Sequence, residues 1–127
     1  MILGLEAVLI GSEDAKKLGE FYKNVVGLKS KEEMEFGENN EYGITFELGK
    51  GASLYIMDHS KVKGKSALPD RVMFNLEVDD IEKEIKRLKK EKVIKVVRDI
   101  YHVEDYGFIA TLEDPDGNYF QLVKTKE

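Results

Sequence analysis

The sequence predicts an α+β fold in which one supersecondary unit occurs twice in tandem. Displaced by 66 residues, the chain falls onto itself: Leu5 to Ile10 meets Arg71 to Leu76, and Ser53 to Met57 meets Tyr119 to Val123. Each matched segment is a short apolar run, and the first of each half leads into a helical pattern, Asp14 to Val26 and Asp80 to Lys92. A half that runs strand, helix and then strands leaves one sheet face uncovered, and a second copy can bury it. A pocket is therefore expected where the halves join. The chain, 127 residues long, suits one domain rather than two independent cores.

The first strand is expected over Leu3 to Ile10, stopping at Gly11-Ser12. Ser12 can cap a helix whose first turn carries Glu13 and Asp14 against the helix dipole. Ala15, Leu18, Phe21, Tyr22, Val25 and Val26 recur at helical spacing and form one apolar stripe that ends at Gly27. Leu28 to Glu35 reads as a charged strand, and an acidic loop leads to a further strand, Gly43 to Leu48. Gly49-Lys50-Gly51 then turns the chain into the strand Ser53 to Met57. Gly64 to Pro69 is polar and broken by Gly and Pro, so it reads as a linker between modules 1–63 and 70–127 of the single domain.

The second module repeats the order. Val72 to Val78 is a strand, and Asp79 or Asp80 caps a helix whose buried stripe is Ile81, Ile85 and Leu88. Strands follow at Val93 to Val97 and Phe108 to Leu112. Asp114-Pro115-Asp116-Gly117-Asn118 is a turn, and Tyr119 to Val123 is the last strand.

Strand alternation separates two faces. Val8, Ile10, Leu54, Ile56, Val72, Phe74, Leu76, Val78, Phe120 and Leu122 should meet the helices. The opposite face carries Leu5, Ala7 and Leu9; Ser53, Tyr55 and Met57; Met73, Asn75 and Glu77; Tyr119, Gln121 and Val123. Its mixture of aromatic, thioether, amide and carboxylate groups suits a curved sheet that encloses a small molecule.

Composition narrows the partners. There are 25 acidic and 20 basic residues, a net charge of -5, which disfavours nucleic acid and mildly favours cationic partners. No signal-like start and no membrane-length apolar run is present, so a soluble, cytoplasmic protein is expected. The absence of Cys excludes disulfides, thiolate metal sites and cysteine nucleophiles. Lys and Glu are abundant while Gln occurs once, a balance seen in heat-adapted proteins.

The repeat order, the run Phe21-Tyr22-Lys23-Asn24-Val25-Val26-Gly27-Leu28 and the turn Asp114 to Asn118 resemble the vicinal oxygen chelate superfamily. That group includes glyoxalase I, extradiol dioxygenases, fosfomycin-resistance enzymes and bleomycin-resistance proteins. The resemblance implies paired β-α-β-β-β modules forming a cup-shaped mixed sheet with helices outside, often completed in a homodimer. In the metalloenzymes of the family, one ligand stands on the first and last strand of each module, usually His or Glu. Those places fall here on Ala7, Tyr55, Met73 and Gln121. None supplies an imidazole or a carboxylate, so a divalent metal is disfavoured and no cofactor is expected.

Other polar residues receive structural readings. His59 and His102, near Asp58, Glu104 and Asp105, read as solvated loop residues. Asp114 and Asp116 read as turn hydrogen-bonders. The acidic run Glu32, Glu33, Glu35, Glu38 and Glu41 reads as a hairpin edge protected against aggregation. The charges from Lys83 to Arg98 read as a solvated helix face.

The sequence therefore points to a bleomycin-resistance-like binder of a small organic molecule, cationic or aromatic, that needs no metal. Ala7, Leu9, Tyr55, Met57, Met73, Asn75, Tyr119 and Gln121 would line the site. Tyr55 and Tyr119 would offer flat surfaces, Met57 and Met73 adaptable packing, and Asn75 and Gln121 orienting hydrogen bonds. The alternative is a glyoxalase- or dioxygenase-like enzyme, metal-dependent or moving a proton through Glu77 or Tyr55.

Overall fold

Two aspartates at equivalent places in the duplication start the two helices. Asp14 accepts the Lys17 N–H and Asp80 accepts the Lys83 N–H, each at 3.1 Å, so one open amide of each first turn is satisfied. Asp14 rather than Ser12 is thus the cap. Ser12 is fully buried and acts one step earlier, its hydroxyl accepting the Asp14 N–H at 3.1 Å.

The computed structural model describes residues 1–126 and separates into two units, Met1–Gly64 and Lys65 onward. The first contains β1 (Ala7–Ser12), α1 (Ala15–Glu20), β2 (Ser30–Phe36), β3 (Glu41–Phe46) and β4 (Ser53–Asp58). The second contains β5 (Phe74–Glu77), α2 (Ile81–Leu88), β6 (Lys95–Val103), β7 (Gly107–Glu113) and β8 (Tyr119–Thr125). Each forms a four-stranded sheet, in the orders β1-β4-β3-β2 and β5-β8-β7-β6. In both, the first and last strands pair in parallel and the others antiparallel. The fold is α+β and its β-α-β-β-β unit occurs twice, as the repeat implied. Leu9 stands beside Tyr55 and Asn75 beside Gln121, two pairs separated by the same 66 residues.

Several expected boundaries move. The first strand begins at Ala7, and Leu3 and Leu5 lie before it, 92% and 71% exposed. Val72 was expected against a helix, but it precedes β5 and is 75% exposed. Apolar residues that flank a strand are not distinguishable by alternation from those inside it. The strand expected over Val93 to Val97 instead runs from Lys95 to Val103, which places His102 in β6 opposite Phe108 rather than in a loop.

The helix expected over Asp14 to Val26 changes type midway. After Glu20 the backbone runs on as a π-helical stretch, Phe21–Val26, closed by Gly27 at φ 93°. The N–H groups of Gly27 and Leu28 both reach the Tyr22 carbonyl. The wider turn keeps Phe21, Tyr22 and Val26 on the buried side together. α2 is shorter than the expected Asp80 to Lys92, yet its buried stripe is Ile81, Ile85 and Leu88 as read.

Each helix packs on its own sheet, α1 on β1, β3 and β4, and α2 on β7 and β8. Leu18, Tyr22, Ile44, Phe46, Leu54 and Ile56 make the first core; Ile85, Leu88, Ala110, Leu112, Phe120 and Leu122 make the second. Burial of each Leu, Ile or Phe among them contributes about 1.5–3 kcal/mol. Asp58 ties α1 to the sheet, one oxygen accepting the Ala15 N–H and the other the Tyr42 N–H, both at 2.8 Å. In the second unit the buried Asp114 closes its turn by accepting the N–H groups of Asp116 and Asn118 at 2.9 Å.

The charged run after Asp80 is a solvated surface. Arg87 pairs with Glu84 at 2.9 Å, Lys89 with Asp99 at 2.6 Å and Lys95 with Glu113 at 3.7 Å. Exposed pairs of this kind contribute little. Among the described residues, no helix is long and apolar enough to cross a membrane.

Gly19 shows how closely α1 lies on its sheet, since a Cβ there would stand 2.7 Å from the Ile44 Cγ2. Gly19→Ala would gain about 0.5–1 kcal/mol of helix propensity but overpack the interface at about 1–3 kcal/mol. Net destabilisation of about 1 kcal/mol or more is expected in urea unfolding; an unchanged midpoint would show that Ile44 yields freely.

Candidate functional site

The register of each sheet decides which side chains face away from its helix. In the first unit these are Ala7, Leu9 and Gly11 on β1, Ser53, Tyr55 and Met57 on β4, Gly43 and Thr45 on β3, and Glu32, Met34 and Phe36 on β2. A hollow of about 210 Å³ opens on this face, lined by Lys31, Glu32, Met34, Phe36, Thr45, Ser53, Tyr55 and Met57 around Gly43. The missing side chain at Gly43 makes room, because a Cβ would lie 3.1 Å from the Phe36 ring and 3.5 Å from the Met34 Cγ. Aromatic rings and thioethers thus make the walls, with a carboxylate, an ammonium and the hydroxyls of Thr45, Ser53 and Tyr55 among them.

Of the site residues expected from sequence, the hollow contains Tyr55 and Met57. Ala7 and Leu9 share the face without lining it, and Leu9 is 60% exposed. Met34 and Phe36 were missed. Their signal was the alternation Glu32, Met34, Phe36 inside a segment read only as a charged edge. The intervening Glu33 faces the helix side, where it accepts a short hydrogen bond from Tyr42 and pairs with Lys23 at 3.8 Å.

Tyr55 donates its hydroxyl proton to Glu6 at 2.9 Å. That bond, and then the charge of Glu6, raise the Tyr55 pKa above the ordinary phenol value. Tyr42 is raised further, first by burial and then by Glu33. Both therefore hold their protons near neutral pH and serve as hydrogen-bonding groups.

The corresponding face of the second unit is polar. Thr111 donates to the Gln121 Oε1 at 2.9 Å, the Gln121 Nε2 donates to the Asn75 Oδ1 at 2.9 Å, and the Asn75 Nδ2 donates to the Tyr106 hydroxyl oxygen at 3.3 Å. Asn75 and Gln121, expected to supply orienting hydrogen bonds, are thus partners of one another. Glu77 lies exposed on the same face and accepts the Thr125 hydroxyl proton at 2.9 Å. Tyr119 is half-buried on β8, and Met73 precedes β5, 39% exposed. Thr111 and Tyr106 were missed, since a threonine in an apolar run and a tyrosine in a tight turn carry no pattern.

The four positions that would hold a metal offer a methyl group, a phenol already donating to Glu6, an exposed thioether and an amide engaged at both ends. These donors do not fit a divalent ion. Among the described residues, no group of three or more His, Asp or Glu side chains could hold one. His59 is exposed and accepts the Lys61 N–H on Nδ1 at 3.1 Å, and the exposed His102 ring packs 4.9 Å from that of Phe108.

With the fold and faces in view, the sequence profile of the Glyoxalase/Bleomycin resistance protein/Dioxygenase superfamily matches residues 4–122. The chain belongs to this superfamily. Curated proteins give no significant sequence match. Among solved structures, TnmS3, an antibiotic binding protein from Streptomyces sp. CB03234, is 21% identical, with 98% of each chain covered and a TM-score of 0.77. The trypanothione-dependent glyoxalase I of Leishmania major is 17% identical over 94% of this chain and 85% of that one, with a TM-score of 0.73. The fosfomycin resistance protein FosX of Listeria monocytogenes is 18% identical over 99% and 96%, with a TM-score of 0.72. At such identities the superfamily relatives attest the fold, which hosts both binding and catalysis.

The raised phenols give a pH signature. A folded pKa above the unfolded value stabilises the protein fully below the ordinary tyrosine range, near 10, and the contribution is lost as pH rises through the folded value. Tyr42 and Tyr55 should ionise later than an ordinary exposed tyrosine in an alkaline titration followed by phenolate absorbance. Glu6→Gln should bring Tyr55 back toward the ordinary range; an unchanged curve would dissociate Tyr55 from Glu6.

Proposed function

We propose that this superfamily member binds and sequesters a small organic molecule, aromatic or cationic, without a metal. The observation that carries the reading is the hollow on the first sheet, where Met34, Phe36, Tyr55 and Met57 form adaptable apolar and aromatic walls. Glu32 on its rim, Glu6 beside Tyr55 and the net charge of -5 favour a cation over an anion. TnmS3 is an antibiotic binding protein of the same fold, which is consistent with a binding role. Proton transfer is less well supported, because Tyr55 holds its proton and Glu77 is exposed and already bonded to Thr125.

The same proposal includes a cytoplasmic homodimer. Ile2, Leu3, Leu5 and Leu9 are all strongly exposed, apolar side chains that a second copy would cover. Sedimentation should then give twice the chain mass.

Two measurements test the binding reading. Protein equilibrated with zinc, nickel, cobalt, manganese and ferrous iron and then desalted should retain no metal by elemental analysis; about one tightly held ion per chain would point to an enzyme. In titrations with aromatic cations such as ethidium, Tyr55→Ala should weaken binding about 3- to 10-fold through lost ring contact. Unchanged affinity would remove that ring from the site.

A further inference from the structure

We propose that the Tyr106 hydroxyl is a ligand-recognising hydrogen-bond donor of the second unit, suited to the carbonyl oxygen of a neutral small molecule. This inference rests on the small-molecule reading above and names the chemistry that the second unit would recognise.

The argument is the direction of the hydrogen-bonded line Thr111–Gln121–Asn75–Tyr106. An amide oxygen only accepts and an amide nitrogen only donates. The Thr111 hydroxyl facing the Gln121 Oε1 must therefore donate. The Gln121 Nε2 then donates to the Asn75 Oδ1, and the Asn75 Nδ2 to the Tyr106 oxygen. Every bond points the same way, so the line ends with the Tyr106 oxygen as acceptor and its own proton unassigned. Among the described residues, no acceptor takes that proton.

Bonds aligned head to tail polarise one another, so the terminal O–H is a better donor than an isolated phenol. The far end is anchored, because Thr111 is buried at 7% exposure, while Tyr106 emerges at 37%. The ring is also held through its backbone: the Tyr106 N–H donates to the Val103 carbonyl at 3.0 Å, and its carbonyl accepts the Lys126 N–H at 2.7 Å. A donor held at both backbone and hydroxyl loses little further freedom when it binds. Glu77, two residues beyond Asn75 on the same face, disfavours a carboxylate or phosphate ligand and favours a neutral acceptor.

The test uses indanone and indane, which differ by a carbonyl in place of a methylene, titrated into the full chain by NMR. Gln121 is the only glutamine, so its side-chain amide signals report on the line without ambiguity. Indanone should shift those signals and bind more tightly than indane. Tyr106→Phe removes the donor but no backbone contact; it should cut indanone affinity about 3- to 10-fold and leave indane unchanged. Equal affinity for the two probes in the wild type, an equal loss for both in Tyr106→Phe, or indanone binding that leaves the Gln121 signals unmoved would each overturn the inference. Binding that moves only the Tyr55 and Met57 signals defeats this inference and spares the hollow. Failure of both indanone and ethidium to bind defeats the two readings together.

Discussion

Parallel pairing of the first strand of each unit with its last is the constraint on which the rest depends. Parallel neighbours cannot be joined by a short turn and need a crossover of a dozen residues or more. Here the crossover is a helix followed by two strands, which continue the sheet outward from the last strand. Side chains alternate strictly along a strand, so the pairing of Val8 with Leu54 and Phe74 with Phe120 sends one set under the helix and the other away from it. A slip of one residue would expose Leu54, Ile56, Phe120 and Leu122 and bury Tyr55 and Gln121. The core energy of these residues therefore also fixes the chemistry of the opposite face.

The duplication holds the frame constant and lets the open faces diverge. Both units start their helices with an aspartate cap of the same geometry, and both place the same two strand positions side by side. In the first unit those positions are Leu9 and Tyr55, in the second Asn75 and Gln121. An aliphatic chain beside a ring gives the first unit an apolar wall. Two amides side by side must satisfy each other or water, and they do so in a line that extends to Thr111 and Tyr106. One backbone thus presents two faces of different chemistry. The superfamily relatives show the same tolerance, since an antibiotic binding protein, a glyoxalase and a fosfomycin resistance protein share the fold.

Much of this was legible before any coordinates. The helix stripes Ile81, Ile85, Leu88 and Ala15, Leu18, Tyr22 read correctly because helical spacing needs only local sequence. The Asp114 turn was readable because a carboxylate that bonds the next amides forms within five residues. Strand ends were not, as Leu3, Leu5 and Val72 show, because a strand ends where its partner ends. Met34 and Phe36 went unrecognised since their environment depends on Gly43, a neighbour on another strand.

By itself the sequence determined the duplicated β-α-β-β-β order, the faces of the helices and most strands, and the absence of imidazole or carboxylate at the family's metal positions. These follow from periodicity, local turn chemistry and residue identity. Only the tertiary structure decided which polar groups satisfy one another: Tyr55 with Glu6, Gln121 with Thr111 and Asn75, and Asn75 with Tyr106. Hydrogen bonds act over about 3 Å, and partners 10 to 49 residues apart come within that reach only when the strand register is set.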